Sequence, residues 1–285
     1  MNNTRIISAE PPSFAQFMSP LTMFKSLFSF RSVIRQFTWS EVIGRYKGTY
    51  LGLVWSVINP LMTLVVYTLV FGIILKVGFG DGLGHGQSGF ALNFFCGLIV
   101  YNVFSNCVGR APGLIVRNPN YVKKVVFPLE VLPVAVLASS LVNAIIGLAI
   151  LIPALALFSP KVSSTMWLFP LVLLPLCALS LGVGWFLASL GVFLRDISEV
   201  VIVLLQLLFF LSPVIYPISA LPPSFQMILR LNPLATILED SRRTLIWGLM
   251  PEWGWWLGVT LVSLVILQLG YVWFMKSKRA FADVI

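Results

Sequence analysis

Charge is scarce in this sequence. Of 285 residues only 10% are Asp, Glu, Lys or Arg, while 58% are hydrophobic and mean hydropathy is +0.95. One soluble core cannot absorb so much apolar side chain, and such a composition marks membrane-spanning helices. Histidine occurs once, as His85 in the Gly-rich stretch 78–89, where a solvated outer loop is expected. The three cysteines, Cys96, Cys107 and Cys177, fall within or at the ends of apolar runs without metal-ligand spacing. They read as small buried hydrophobes, and neither a metal site nor a disulfide framework is expected. Also missing are the G-x-x-x-x-G-K-[ST] phosphate loop, H-E-x-x-H and G-x-S-x-G. Away from the span ends no Asp, Glu or Lys offers an ion or proton relay. The chain reads neither as an enzyme nor as an ion-driven pump, and no catalytic residue is assigned.

Long apolar runs are what it does have. Six lie at roughly 50–76, 90–109, 131–158, 165–193, 198–216 and 254–275, each about the length that crosses a bilayer. The expected fold is an all-α integral membrane protein, one transmembrane unit over 1–285. Arg195, Asp196 and Glu199 interrupt the fourth and fifth runs, which predicts a tight loop. The first 20 residues lack an apolar core behind a basic start, so no cleaved signal peptide is expected. The N-terminus then stays cytoplasmic, and six spans return the C-terminus to the same side.

Positive charge agrees with that topology. The proposed cytoplasmic segments carry Arg5, Lys25, Arg31, Arg35, Arg45, Lys47, Arg110, Arg117, Lys123, Lys124, Arg195, Lys276, Lys278 and Arg279. Only Lys76, Lys161, Arg230, Arg242 and Arg243 of the 19 Lys and Arg residues fall outside, as the positive-inside rule requires. The net charge of +9 therefore points to anionic membrane lipids as a partner, not to nucleic acid.

Two segments are neither spans nor ordinary loops. Residues 21–48 mix Phe24, Leu27, Phe28, Val33, Ile34, Phe37 and Ile43 with Lys25, Arg31, Arg35, Glu41 and Arg45. That predicts an amphipathic helix at the cytoplasmic interface, facing water and headgroups or a cytoplasmic subunit. Residues 217–250 predict two short helices at, or dipping into, the outer face. Asn232-Pro233 supplies a helix start, and Glu239 is spaced to pair with Arg243 at i,i+4.

The first span is unusual. At about 100° per residue Gly52, Ser56, Asn59, Thr63 and Tyr67 fall within an arc of roughly 80°, with Pro60 a kink on the same stripe. Lipid cannot satisfy Asn or Tyr, so the stripe needs a partner. Two readings stand: polar helix–helix packing, or the wall of a translocation path.

Four motifs occur in order on this scaffold: the amphipathic segment leading into Arg45-Tyr-Lys-Gly-Thr-Tyr-Leu-Gly-Leu-Val-Trp-Ser-Val-Ile-Asn-Pro, then Val116-Arg-Asn-Pro-Asn-Tyr-Val-Lys-Lys-Val-Val-Phe-Pro128, Phe193-Leu-Arg-Asp-Ile197 and Leu231-Asn-Pro233. Over nearly its whole length the chain resembles the membrane subunit of ABC-2 type exporters of polysaccharides such as lipid-linked O antigen, capsule or teichoic acid. The resemblance implies a homodimeric permease in a bacterial cytoplasmic membrane. It also implies two copies of a separate ATPase that binds ATP and Mg, with no cofactor in this chain. On that basis the first and fifth spans line the path, with Trp55, Ser56, Asn59, Thr63, Tyr67, Phe71, Gln206 and Phe210 as candidates, together with Tyr101 of the second span. Arg31, Arg35, Arg117, Asn118, Asn120, Tyr121, Lys123 and Lys124 would couple to the ATPase, against the plainer reading of a loop that only sets topology. Tyr216, Glu239, Arg242 and Arg243 would form an outer gate. The alternatives are an ABC-2 permease for a small lipophilic substrate and a non-transport membrane scaffold.

Overall fold

The computed structural model describes residues 19–45, 50–77, 79, 87–122, 127–158 and 164–285. His85, Lys123 and Lys124 lie outside the described residues. Two short helices come first, α1 (Pro20–Ser29) and α2 (Arg31–Gly44). The single amphipathic helix expected over 21–48 is thus broken at Phe30, whose φ of −97° and ψ of 18° leave the helical region. Its last residues, 46–48, lie outside the described residues.

Six apolar helices follow: α3 (Trp55–Tyr67), continued by a π-helical stretch Thr68–Ile74, α4 (Gln87–Arg110), α6 (Val131–Phe158), α7 (Phe169–Phe193), α8 (Ile197–Leu211) and α11 (Trp253–Ser277). The four-residue turn of helix α5 (Pro119–Val122) lies between α4 and α6. Five of the apolar helices are long enough to cross a membrane. The exception is α8, which the sequence pattern extends to 216 but which stops at Leu211. Pro213 is the reason: a residue before proline is driven to extended backbone, and Ser212 has φ −104° and ψ 151°. At about 1.5 Å per residue α8 spans roughly 22 Å, short of a hydrocarbon core of about 30 Å.

The centre of the bundle is α4, whose Phe90, Phe94, Phe95, Val100 and Cys107 are fully buried. Against it pack α6, α7 and α8, while α7 and α11 form a tight pair. At their crossing Gly182 and Gly270 bring the two backbones together: a Cβ on Gly270 would lie 2.0 Å from the Gly182 carbonyl oxygen. Below it Trp185, fully buried, donates its indole N–H to the Glu130 carbonyl at 3.0 Å and meets Tyr271 edge-on at 5.2 Å. By contrast α3 buries no residue completely and leaves Met62, Val65 and Val66 open.

Polar contacts gather at the two ends. At the first, which we term the basic end, Arg110 pairs with Glu41 and Lys278 with Glu130 at 2.7 Å. The opposite end is closed by α9 (Pro223–Arg230) and α10 (Pro233–Arg242), the latter running into a π-helical stretch Arg243–Trp247 that Gly248 ends in left-handed backbone at φ 71°. Asn232 caps α10 by accepting the Leu234 N–H at 3.0 Å, with Pro233 in the first turn, and almost all of α10 is buried. A final short helix, α12 (Phe281–Val284), tucks Phe281 against Phe274.

Candidate functional site: a polar cleft, an open apolar face and two charged ends

The path candidates divide between three places. Trp55, Ser56, Asn59 and Thr63 line a cleft of about 580 Å³ between α3, α4 and α6, with Arg45 at one end and Phe95 and Gly147 towards the other. Across from the α3 stripe stand Asn102 and Asn106 of α4 and Ser140 and Asn143 of α6. Several of these groups are occupied by their own helices: Thr63 donates to the Asn59 carbonyl at 2.9 Å, Asn106 to the Asn102 carbonyl at 2.7 Å and Ser140 to the Val136 carbonyl at 3.0 Å. Asn143 is different, because both its amide N and O are buried without a hydrogen bond.

Tyr67 and Phe71 lie further along, in an aromatic cluster. Tyr67 stacks on Phe94 at 4.8 Å and on Phe71 at 5.6 Å, and meets Phe209 edge-on at 5.9 Å. Tyr101 also meets Phe209, at 5.1 Å, and its hydroxyl donates to the Leu205 carbonyl, tying α4 to α8. Gln206 and Phe210 sit on neither surface; both are exposed on α8. They share the exposed surface of α8 with Val203, Leu204, Leu207 and Leu211, while Phe209 of the same helix reaches Tyr67 of α3.

At the basic end Arg31, Arg35, Arg117 and Asn120 are exposed. Arg31 lies over the Phe28 ring at 4.9 Å, and Asn118 donates to the Leu114 carbonyl at 2.8 Å, holding the turn after α4. Tyr121 joins the two segments named as coupling candidates: its ring stacks on Phe127 at 4.5 Å and meets Phe37 of α2 at 5.3 Å. Phe37, Glu41 and Arg110 thus fasten the amphipathic segment to the loop beyond the second span. Their signal in the sequence was only an apolar and an acidic residue amid basic ones.

At the opposite end Arg242 is fully buried. Its Nε donates to the Asn93 carbonyl at 3.1 Å and Nη2 to the Val214 carbonyl at 2.8 Å, with the guanidinium over Phe79 at 4.7 Å. Gly97 makes room for it, since a Cβ there would stand 2.5 Å from Nη2. Glu239 lies 3.7 Å from Arg242 at i,i+3, so the expected Glu239–Arg243 pair is replaced. Arg243 instead donates to the Met250 carbonyl at 2.9 Å and pairs with Glu252 at 3.5 Å, and Arg230 reaches the same Glu252 at 2.8 Å. Tyr216 donates its hydroxyl to the Phe210 carbonyl at 2.9 Å, linking this end to α8. Burial pushes the Asp240 carboxyl up to about 6, opposed by the Glu252 N–H it accepts at 2.9 Å and by Arg243. Asn93, which also accepts from the Trp247 indole at 2.9 Å, was not anticipated. The polar stripe legible in the sequence is that of the first span, whereas Asn93, Asn102, Asn106 and Asn143 are scattered over the second and third spans without a stripe to mark them.

Comparison with known proteins gives this architecture relatives. An O-antigen export system permease of Myxococcus xanthus is 26% identical over 265 residues, covering 92% of this chain and 99% of the relative. An O-antigen export system permease of Klebsiella pneumoniae is 23% identical over 242 residues, 85% of this chain and 90% of the relative. The polysialic acid transport protein KpsM of Escherichia coli is 25% identical over 250 residues, 84% and 91%. Residues 32–246, from α2 to the π-helical stretch after α10, match the model of the ABC-2 type transporter family. The chain belongs to the ABC-2 type transporter family of membrane permeases.

Proposed function

We propose that this chain is the membrane subunit of an ATP-driven exporter that carries a lipid-linked surface polysaccharide, of the O-antigen type, across a bacterial cytoplasmic membrane. The observation that carries this reading is the near end-to-end match with an O-antigen export permease, 99% of whose length is covered. In this reading two copies pair along the open faces of α3 and α8, both termini face the cytoplasm, and two copies of a separate ATPase bind ATP and Mg. That ATPase docks at the basic end, against exposed Arg31, Arg35, Arg117 and Asn120, with Lys123 and Lys124 in the same segment.

Physical chemistry supports the assignment of ends. The basic end carries the exposed cations that the positive-inside rule places in the cytoplasm. There the Phe37–Tyr121–Phe127 cluster is suited to passing motion from a docked subunit into α4 and α6. The opposite end is knitted by buried hydrogen bonds from Arg242, as suits a closure between strokes.

The test is mild detergent extraction of the chain from its native membrane, followed by mass spectrometry and analysis of the surface glycan in a deletion strain. The expected result is a co-purifying chain bearing a phosphate loop, at about one copy per permease, and loss of the surface polysaccharide with its lipid-linked precursor accumulating inside. Isolation of the permease alone, with the surface glycan unchanged on deletion, would overturn the reading.

A further inference from the structure

The crossing of α7 and α11 leaves a groove on the outside of the bundle. Gly182 and Gly270 bring the two backbones together there and supply no side chain to cover the seam. A cavity of about 480 Å³ follows that seam, walled by Val183 and Phe186 of α7 and by Ile266 and Trp273 of α11. The Phe186 and Trp273 rings lie 5.7 Å apart between centroids, and both remain exposed. Among the described residues that line the groove, Lys276 in the last turn of α11 alone is charged.

Position and length restrict the occupant. Gly182 and Ile266 lie near the midpoints of α7 and α11, and the two helices end together at the basic end, where Phe193 meets Phe281. From Ile266 to Lys276 the helix rises about 15 Å at about 1.5 Å per residue, half of a hydrocarbon core of about 30 Å. The groove is therefore one leaflet deep. Left empty it would forfeit the packing contacts of its whole lining, and an apolar furrow of this length is filled by an acyl chain. At its mouth Trp273 is of the residue type that sits at headgroup level. Lys276 is exposed beside it, and the ion pairs of the basic end pass it by: Arg110 goes to Glu41 and Lys278 to Glu130. A free ammonium at headgroup level, at the end of an acyl furrow, is complementary to the phosphate of an anionic lipid.

We propose that the α7/α11 groove binds one anionic phospholipid of the leaflet at the basic end, with an acyl chain along Gly182 and Gly270 and the phosphate on Lys276. The groove shares no lining residue with the polar cleft of α3, α4 and α6. The site does not depend on what the transporter carries. The lipid chain covers a seam that the two helices close only through backbone, so it acts as a third packing partner of the pair.

The test uses the complete transporter in nanodiscs made mainly of phosphatidylethanolamine, with a trace of phosphatidylglycerol that carries a diazirine partway along one acyl chain. After irradiation the labelled peptides are mapped by mass spectrometry, and phosphatidylethanolamine with the same diazirine serves as the comparison. The expected result is labelling around Val183 and Ile266 that is stronger with phosphatidylglycerol, the preference falling about fivefold in Lys276→Gln. Lys276→Arg should keep the preference, and so should Lys25→Gln, which removes an equal charge from an exposed position on α1. Equal labelling by the two probes, or a preference that survives Lys276→Gln, overturns the proposal, because the groove then takes any lipid. A preference lost equally in Lys25→Gln, or lost in Lys276→Arg as well as Lys276→Gln, overturns the ion pair with Lys276. Labelling of exposed Leu261 and Val265 with none at Val183 or Ile266 also overturns it, and places protein rather than lipid in the groove.

Discussion

Asp240 shows how a single side chain ties this end of the bundle to pH. It is almost fully buried on α10 and accepts the Glu252 N–H through Oδ1, while Oδ2 is buried without a hydrogen bond. Burial raises its carboxyl from 3.8 to about 6. The group binds its proton more tightly in the native chain than in the unfolded one, so ionisation works against the native state. Stability should fall as pH rises from about 4 to 6 and level off above that, by on the order of 2–3 kcal/mol. Asp240→Asn keeps the acceptor and removes the titration. In detergent its thermal midpoint should exceed that of the parent by several degrees at pH 7.5 and by roughly a third as much at pH 4.5. A lower midpoint at both pH values would mean that the contact with Arg243 outweighs burial.

Residues of this kind mark the limit of sequence reading. The cap at Asn232-Pro233 was legible because it depends only on neighbours. The partner of Glu239 was not: i,i+3 and i,i+4 spacing both allow a pair, and the choice fell to Arg242 because Asn93 and Val214, 149 and 28 residues away, hold that guanidinium in the core. The α3 stripe was legible as polar, but its direction depends on where α4 and α6 pack. The angular periodicity of one helix does not contain that information.

Among elements, the crossing of α7 and α11 depends most on the absence of side chains. A Cβ on Gly182 would lie 2.5 Å from the Ile266 carbonyl oxygen, and one on Gly270 only 2.0 Å from the Gly182 oxygen. Both neighbours are backbone, so neither side can yield without the helices separating. Gly270→Ala should therefore destabilise by about 1–3 kcal/mol or more, read as a lower thermal midpoint and a smaller monodisperse fraction after extraction. Gly258, on the same helix, has nothing within 4 Å of a Cβ, and Gly258→Ala should be neutral or slightly stabilising through helix propensity. Equal effects from the two substitutions would refute the crossing as the cause. Element boundaries follow similar logic. The spans could be read from apolar runs, whereas the early stop of α8 came from Pro213 inside a stretch that remains apolar, and the break at Phe30 has no proline or glycine to announce it.

At the scale of the whole molecule two open faces compete as the surface where two copies would meet if the chain pairs as proposed. The outer face of α11 is uniformly apolar through its middle, with Leu257, Leu261, Val262, Leu264, Val265 and Leu269 exposed, and lipid tails cover such a surface without penalty. The α3/α8 face is not uniform. It sets exposed Gln206 among Val203, Leu204, Leu207 and Phe210, and it includes a short α8 that cannot match the bilayer alone. A second copy placed there can hydrogen-bond the Gln206 amide and shield the short helix, both of which lipid does poorly. Cross-linking distinguishes the faces, because Cys96 and Cys107 are buried and Cys177 half-buried, leaving little background. With Leu207→Cys, mild oxidation of native membranes should convert most of the chain to a disulfide-linked dimer, and Leu261→Cys should remain monomeric. The reverse pattern would move the interface to α11, turn the α3/α8 face outward to lipid, and remove the case for a path between two copies along those helices.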